Sequence, residues 1–264
     1  MPAIAPSSWM PLSPPVPHRL RLGMACGLSD TGTVRCSNED NLLIDPALNL
    51  AAVADGMGGH TSGEVASAAA LSALAAFLRD ALAAGIEGDP RDTLRQALAY
   101  ANHRLYQANL AKHLGDGSGM GTTLTGVWQP ETDGPLLVFH IGDSRLYRLR
   151  RGQLVQFTRD QTMYQQALEA GETGPLPARN LLLQALGPAP DIEPQVHAQS
   201  AAPGDLYLLC SDGLYGASAD QRIAACLAQA GADNLEASCA QLVAMAKQDG
   251  SRDNITAILI QCAE

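Results

Sequence analysis

Val53-Ala54-Asp55-Gly56-Met57-Gly58-Gly59-His60 is a glycine-rich turn between an apolar β-type run, Leu50 to Ala54, and an Ala/Leu-rich segment of helical period, Ser62 to Ala84. Such strand-to-helix turns can cradle phosphate on backbone N–H groups. This one has neither a Gly-Lys-Ser/Thr ending nor GxGxxG, so nucleotide binding is unsupported. The carboxylate of Asp55 is the informative group. A helix N-cap or a plain turn accounts equally well for the stretch taken alone.

Three more acidic clusters lie far away in the chain: Asn38-Glu39-Asp40, Ser211-Asp212-Gly213 and Arg252-Asp253-Asn254. Asp55, Asp212 and Asp253 are each flanked by Gly or Asn and sit at or beside an apolar run (Leu50 to Ala54, Leu206 to Cys210, Ile255 to Ile260). An Asp at a strand end points its carboxylate into a shared cleft, and a small neighbour lets a backbone carbonyl approach a bound ion. Oxygen-only sets of this kind suit hard divalent cations such as Mg²⁺ or Mn²⁺. Arg35 precedes Glu39 and Asp40 by four and five residues. A guanidinium beside a metal–carboxylate cluster suits a bidentate grip on phosphate; the plainer alternative is a surface ion pair from Arg35 to Glu39. Gly142-Asp143-Ser144-Arg145 lies between two strand-like runs, so Asp143 is expected to serve a hairpin turn, with a place in the acidic site as the alternative. Ser144 has no GxSxG context, which argues against a serine hydrolase. The six histidines form no HxH or HExxH; His60, just after the Asp55 turn, is the one placed to act as an acid near neutral pH.

The length of 264 residues allows one sizeable core. A net charge of −10 works against binding a phosphate backbone, and an aromatic share of 4% against a stacking surface for single-stranded nucleic acid. The six cysteines make no CxxC pair and no zinc spacing, so free buried thiols in a reducing compartment are expected. No uninterrupted apolar run is long enough to span a bilayer. Met1 to Pro17 is rich in Pro and Ser without a basic n-region and apolar h-region; it reads as a disordered or loosely docked tail, not a secretion signal. The expected organisation is a tail over residues 1–20 and one domain over 21–264, in the cytoplasm.

Strands are expected over Arg21 to Leu28, Asn41 to Ile44, Leu50 to Ala54, Thr122 to Trp128, Leu136 to Ile141, Arg145 to Arg150, Gln153 to Phe157, Leu206 to Cys210 and Asn254 to Gln261. Helices are expected over Ser62 to Ala84 (capped by Thr61 or Ser62 and ended by Gly85), Pro90 to Leu114, Gln161 to Ala170, Asp220 to Ala230 and Asn234 to Gln248. Strands in blocks with hairpin links favour antiparallel α+β over a doubly wound parallel sheet.

Taken in order, the motifs resemble the metal-dependent protein phosphatase (PPM, type 2C) family of serine/threonine phosphatases in its compact bacterial form. The matching stretches are Asp30 to Asp40 (D-x-G-x-x-R-x-x-N-E-D), Val53 to Gly59 (VADGMGG), Gly119 to Thr123 (GMGTT), His140 to Leu149 (HIGDSRLYRL), Leu181 to Gly187 (LLLQALG), Leu208 to Leu214 (LLCSDGL) and Asp253 to Thr256 (DNIT). The resemblance implies two antiparallel β-sheets packed as a central sandwich flanked by helix pairs, four layers αββα. It implies that Asp55 bridges two Mn²⁺ or Mg²⁺ ions and that Asp212 and Asp253 complete the first metal's protein ligands. The Gly56 carbonyl then binds the second, with Glu39 or Asp40 beside it, directly or through water. Asp116 matches the acid holding a third, weaker ion, and Arg35 the binder of substrate phosphate.

The implied reaction is hydrolysis of phosphoserine and phosphothreonine monoesters by a hydroxide bridging the ions, without a phosphoenzyme, on phosphoproteins made by a bacterial Ser/Thr kinase, by a monomeric enzyme. Two departures stand out. Animal members carry a His directly after Asp-Gly, where this chain has Met57. The flap segment, Thr162 to Arg179, is shortened between Gly171 and Asn180. Two other classes compete: a pseudophosphatase that binds phosphoproteins as a regulatory module, against which stand the intact Asp55, Asp212 and Asp253, and a two-metal phosphodiesterase or nuclease, disfavoured by the acidic charge.

Overall fold

A computed structural model describes residues 11–58, 62–132 and 134–263. The elements from the N-terminal side are β1 (His18–Arg19), β2 (Gly23–Asp30), β3 (Asp40–Asp45), β4 (Leu50–Met57), α1 (Ser62–Ala84), α2 (Pro90–Ala111), β5 (Gly121–Thr122), β6 (Leu124–Trp128) and β7 (Leu136–Ile141). There follow β8 (Arg145–Arg150), β9 (Gln153–Gln156), α3 (Met163–Glu169), β10 (Gln195–Gln199), β11 (Leu206–Cys210), α4 (Asp212–Tyr215), α5 (Asp220–Leu227), α6 (Leu235–Gln248) and β12 (Ile255–Cys262).

One sheet runs β1-β2-β12-β11-β8-β9 and the other β10-β7-β6-β4-β3, with β5 paired to β4 off the main path. Neighbours in both sheets are antiparallel. Alternation along the strands assigns the faces. Ala25, Tyr207, Leu209 and Ile258 of the first sheet meet Leu42, Ala51, Val53 and Val138 of the second in an inter-sheet core. The opposite face of the second sheet, including Ala52, Leu124 and Phe139, packs on α1 and α2. The opposite face of the first, including Cys26, Leu208 and Leu259, packs on α5 and α6. The result is the four-layer αββα arrangement. Because both faces of each sheet are covered, β7 and β11 are buried at every position and read as continuous apolar runs. Leu209→Ala is expected to cost about 2–5 kcal/mol, read by urea unfolding, since the fully buried site faces two sheets that cannot close around the cavity.

Several boundaries move for identifiable reasons. The first strand splits: the chain turns through Arg21 and Leu22, closed by paired Leu20 and Gly23 hydrogen bonds, and β2 starts at Gly23. The Thr122 to Trp128 run breaks at Thr123, whose N–H donates to the Asp55 carbonyl (2.9 Å). The α2 helix stops at Ala111, ahead of His113 with φ of 60°. The short helix starts at Met163, capped by Thr162, because Gln161 is spent on the Gly142 N–H (2.8 Å). The edge strand β10, Gln-Val-His-Ala-Gln, has no apolar run to announce it and is held by backbone pairing with β7.

The stretch read as a tail is tied down from Leu12 onward. The Leu12 N–H donates to Asn41 Oδ1, and Ser13 Oγ accepts from the Ile44 N–H and donates to its carbonyl. These contacts cover the β3 edge against further pairing. The α1 helix is long and apolar enough to cross a membrane by length and composition; in this fold Ala66, Ala70, Leu71, Leu74 and Leu78 pack it into the core with α2. Cys36 is exposed and the other five thiols are buried and free.

Candidate metal centre

Asp40 and Asp55 are directly opposed across β3 and β4. Each shares the facing of inter-sheet residues on its own strand (Leu42 and Ile44; Ala51 and Val53), so both carboxylates lie at one end of the space between the sheets. Asp212 follows β11 and opens α4, while Asp253 and Asn254 lead into β12. The glycines in these motifs answer to close approach. A Cβ on Gly56 would stand 2.1 Å from the Gly63 carbonyl oxygen, and one on Gly213 would stand 1.9 Å from that of Asn254. The sandwich thus brings acids from both ends of the sequence together.

Burial and mutual repulsion dominate the electrostatics. Burial, then the charges of Asp40, Asp212, Asp143 and Asp253, hold the Asp55 carboxyl well above the usual carboxylate range. Burial pushes Asp40 up to about 7, against the opposing pull of hydrogen bonds from Ser211 and Thr256. Asp212 is pushed up to about 6 by burial and then Asp253, and shares a hydrogen bond with Asp55. The other oxygen of Asp212, Oδ1, is buried without a hydrogen-bond partner.

Basic compensation is sparse. Arg35 Nη2 reaches Asp253 Oδ2 at 2.7 Å from an exposed position, and Arg145 is committed to Asp160 (2.6 Å) and stacks on Tyr215 at 3.6 Å. A crowd of buried carboxylates with an orphaned acceptor and little positive charge fits divalent cations, which relieve both penalties at once. Among the described residues no three such side chains already close around one point: Asp253 is turned to Arg35, and Asp212 to Asp55.

Asp143, read as a hairpin residue, joins this cluster. It is 6% exposed, pushed up to about 7 by burial and then Asp212, and adds its charge to Asp55. Its signal in the sequence was the one that marked Asp212: an acid just past a continuous apolar run. Glu39 is turned toward the start of α1, where the Gly63 N–H donates to its carboxylate; burial still raises it. Asp116 lies on the exposed loop after α2 and accepts from the Tyr106 hydroxyl at 2.7 Å. Met57 ends β4 opposite Gly121. His60 and the Thr61 cap fall outside the described residues.

Polar residues to which the sequence assigned no role of their own hold the acids in place. Thr123 Oγ1 accepts from the Asp55 N–H (2.9 Å), and the Thr122 hydroxyl donates to the Asp55 carbonyl (2.9 Å), which is the physical content of the GMGTT motif. Asn254 donates to the carbonyls of Thr31 and Ser37 and accepts from the Glu39 N–H, so one side chain ties the Arg35 loop to the start of β12. Asn109 binds both edges of Met120 and the Gly187 carbonyl, fixing the strand that flanks Asp55. Their partners lie up to 223 residues away, which hides these roles from local pattern.

The family profile described as Protein phosphatase 2C matches residues 35–259. The serine/threonine protein phosphatase PstP of Mycobacterium tuberculosis is 37% identical over 236 residues, covering 88% of this chain and 43% of that protein. This chain therefore spans less than half the length of that relative. The crystal structure of the Mycobacterium tuberculosis PstP/Ppp phosphatase superposes with a TM-score of 0.79 at 35% identity, covering 91% of this chain and 98% of that one. A structure of the PstP catalytic domain in complex with 2 manganese ions gives a TM-score of 0.77 at 35% identity with the same coverage.

Proposed function

Because the chain belongs to the protein phosphatase 2C family, we propose that it is a Mn²⁺- or Mg²⁺-dependent serine/threonine phosphoprotein phosphatase. The observation that carries the reading is the crowd of buried acids around Asp55, with Asp212 Oδ1 unsatisfied at its centre. Asp55, Asp212 and Asp253, with Asp40 and the Gly56 carbonyl, would hold two ions, and Glu39 and Asp116 would contribute at the margins. When bound, such cations supply Lewis acidity toward phosphoryl oxygens and lower the pKa of water.

The chain's own groups do the rest. The exposed Arg35 guanidinium, anchored through Nη2 to Asp253, presents its remaining donors at the rim, suited to the equatorial oxygens of a phosphomonoester. Thr122 and Thr123 fix the Asp55 backbone, so its carboxylate is pre-oriented rather than recruited. Met57 stands directly after Asp55-Gly56, where animal members carry a His, so no imidazole at that position protonates the leaving group. The fitting partners are phosphorylated proteins and their kinase, in the cytoplasm, acted on by a monomer.

The deciding experiment is phosphate release from p-nitrophenyl phosphate and a phosphothreonine peptide, with and without Mn²⁺, against a phosphodiester. No metal-dependent turnover would sink the enzyme reading, and cleavage of the diester alone would point to a nuclease. Arg35→Ala is expected to raise KM for phosphomonoesters roughly tenfold or more with a smaller change in kcat, the size of one lost charged hydrogen bond. Because the Arg35–Asp253 pair is exposed, its loss changes stability by less than about 1 kcal/mol. An unchanged KM removes Arg35 from the phosphate site.

A further inference from the structure

Asp40 is enclosed by hydroxyls from the facing sheet. Ser29 stands opposite Thr256 in the β2–β12 pairing, and Ser211 lies one step past the Cys210–Ala257 pair of β11 and β12. All three share the facing of Ala25, Ile258 and Leu209 toward the inter-sheet core, so a row of hydroxyls crosses three strands of one sheet and meets Asp40 of the other.

With Asp40 ionised, the form that serves a cation, the direction of every bond in this row is forced. Ser211 Oγ accepts from the Thr256 N–H (3.0 Å) and lies 2.6 Å from Asp40 Oδ2, so its one proton goes to Asp40. Thr256 Oγ1 lies 2.7 Å from the same oxygen and likewise donates to it. Ser29 Oγ, 2.6 Å from Thr256 Oγ1, must then donate to Thr256, and it accepts in turn from Asn38 Nδ2 (2.9 Å). Asn38 Oδ1 receives the Asp40 N–H (3.1 Å), which closes the loop on the same residue. Asp40 Oδ2 therefore takes two hydroxyl protons, and fixing that oxygen fixes the plane of the carboxylate. Ser211, Thr256, Asn38 and Asp40 are each at most 2% exposed, so water does not compete for these bonds.

We propose that Ser211, Thr256 and Ser29 are positioning residues that hold the Asp40 carboxylate in its cation-serving orientation, and that the Thr256 hydroxyl thereby sets the affinity of the site for a divalent cation. The inference rests on the metal-centre reading above. It gives the Ser of SDG and the Thr of DNIT a task distinct from that of their neighbouring aspartates.

The test is calorimetric titration of Mn²⁺ into the full chain at neutral pH for the wild type, Thr256→Val, Thr256→Ser and Ser29→Ala. Thr256→Val keeps the shape and loses the hydroxyl, and is expected to weaken Mn²⁺ binding about 10–100-fold, the usual cost of removing an outer partner of a metal ligand. Thr256→Ser keeps the hydroxyl and restores binding to within a few-fold of wild type. Ser29→Ala lets the Thr256 hydroxyl rotate and gives an intermediate loss. Wild-type affinity in a folded Thr256→Val protein overturns the proposal, as does Thr256→Ser binding no better than Thr256→Val, which would mark a packing role. If Thr256→Val does not fold, Ser29→Ala decides, and unchanged affinity there overturns it. A wild-type protein that takes up no Mn²⁺ fails differently: the metal-centre reading falls, and this inference with it.

Discussion

Asp55→Asn is expected to leave the protein folded and to lower the proposed Mn²⁺-dependent hydrolysis of p-nitrophenyl phosphate by about a thousand-fold or more, since it removes the acid at the centre of the cluster. The substitution keeps the shape and the backbone bonds from Thr122 and Thr123, so lost turnover cannot be assigned to a collapsed strand. It also has an effect of the opposite sign. Asp55 is held far from its preferred ionisation by burial and by Asp40, Asp212, Asp143 and Asp253. Replacing it with a neutral amide relieves that repulsion, so the metal-free variant is expected to melt at a higher temperature than metal-free wild type at mildly alkaline pH. Thermal unfolding in a chelator measures it. A variant that loses activity and stability together would show that Asp55 is structural.

Proton uptake gives the second large effect. Asp40 and Asp143 titrate near 7 and Asp212 near 6 in the fold, all above an ordinary Asp. A carboxyl with a raised folded pKa binds more protons when folded than when unfolded. The stability it contributes is present at low pH and is lost as the pH rises through the folded value. Metal-free protein is therefore expected to lose a few kcal/mol between about pH 5 and pH 8, opposite to the usual acid denaturation of proteins rich in ion pairs. Saturating Mn²⁺ restores it: a ligand at a hundred times its Kd adds about 2.7 kcal/mol. The increment should be larger at the alkaline end, where carboxylates need not release protons to bind. Denaturant titrations at both pH values, with Mn²⁺ and with chelator, test it; a metal-free protein more stable at the alkaline end contradicts the repulsive cluster.

The legible parts of the fold are those where one physical signal dominates. Leu136–Ile141 and Leu206–Cys210 were readable to the residue because strands buried on both faces give unbroken apolar runs, and Ser62–Ala84 because its helical period extends over 23 residues. β10 was not, because a polar edge strand is specified by the neighbour it pairs with, not by its own side chains. The same divide runs through the site. Asp55, Asp212 and Asp253 announce themselves as acids beside strands with small neighbours. Asp143 carried the same signal, with Gly142 and Ser144 beside it, but sat where a hairpin turn was the simpler account. The amides and hydroxyls of Asn38, Ser29, Asn254 and Thr256 gain their meaning only from partners across the sandwich. In the sequence each is an ordinary polar residue.

The order of strands in the first sheet has a consequence for biosynthesis. β12, residues 255–262, does not sit at the edge; it fills the gap between β2 and β11. A nascent chain lacking those residues holds two separated halves of a sheet, and its acidic residues have no frame to bring them together. Pairing β2 to β12 links segments 225 positions apart, as in Asp30 with Ile255, a long loop to close and a reason to expect slow folding. The acids of the cluster come together only when this central strand is in place, because Asp253 leads into it and Asp40 is held by its Thr256.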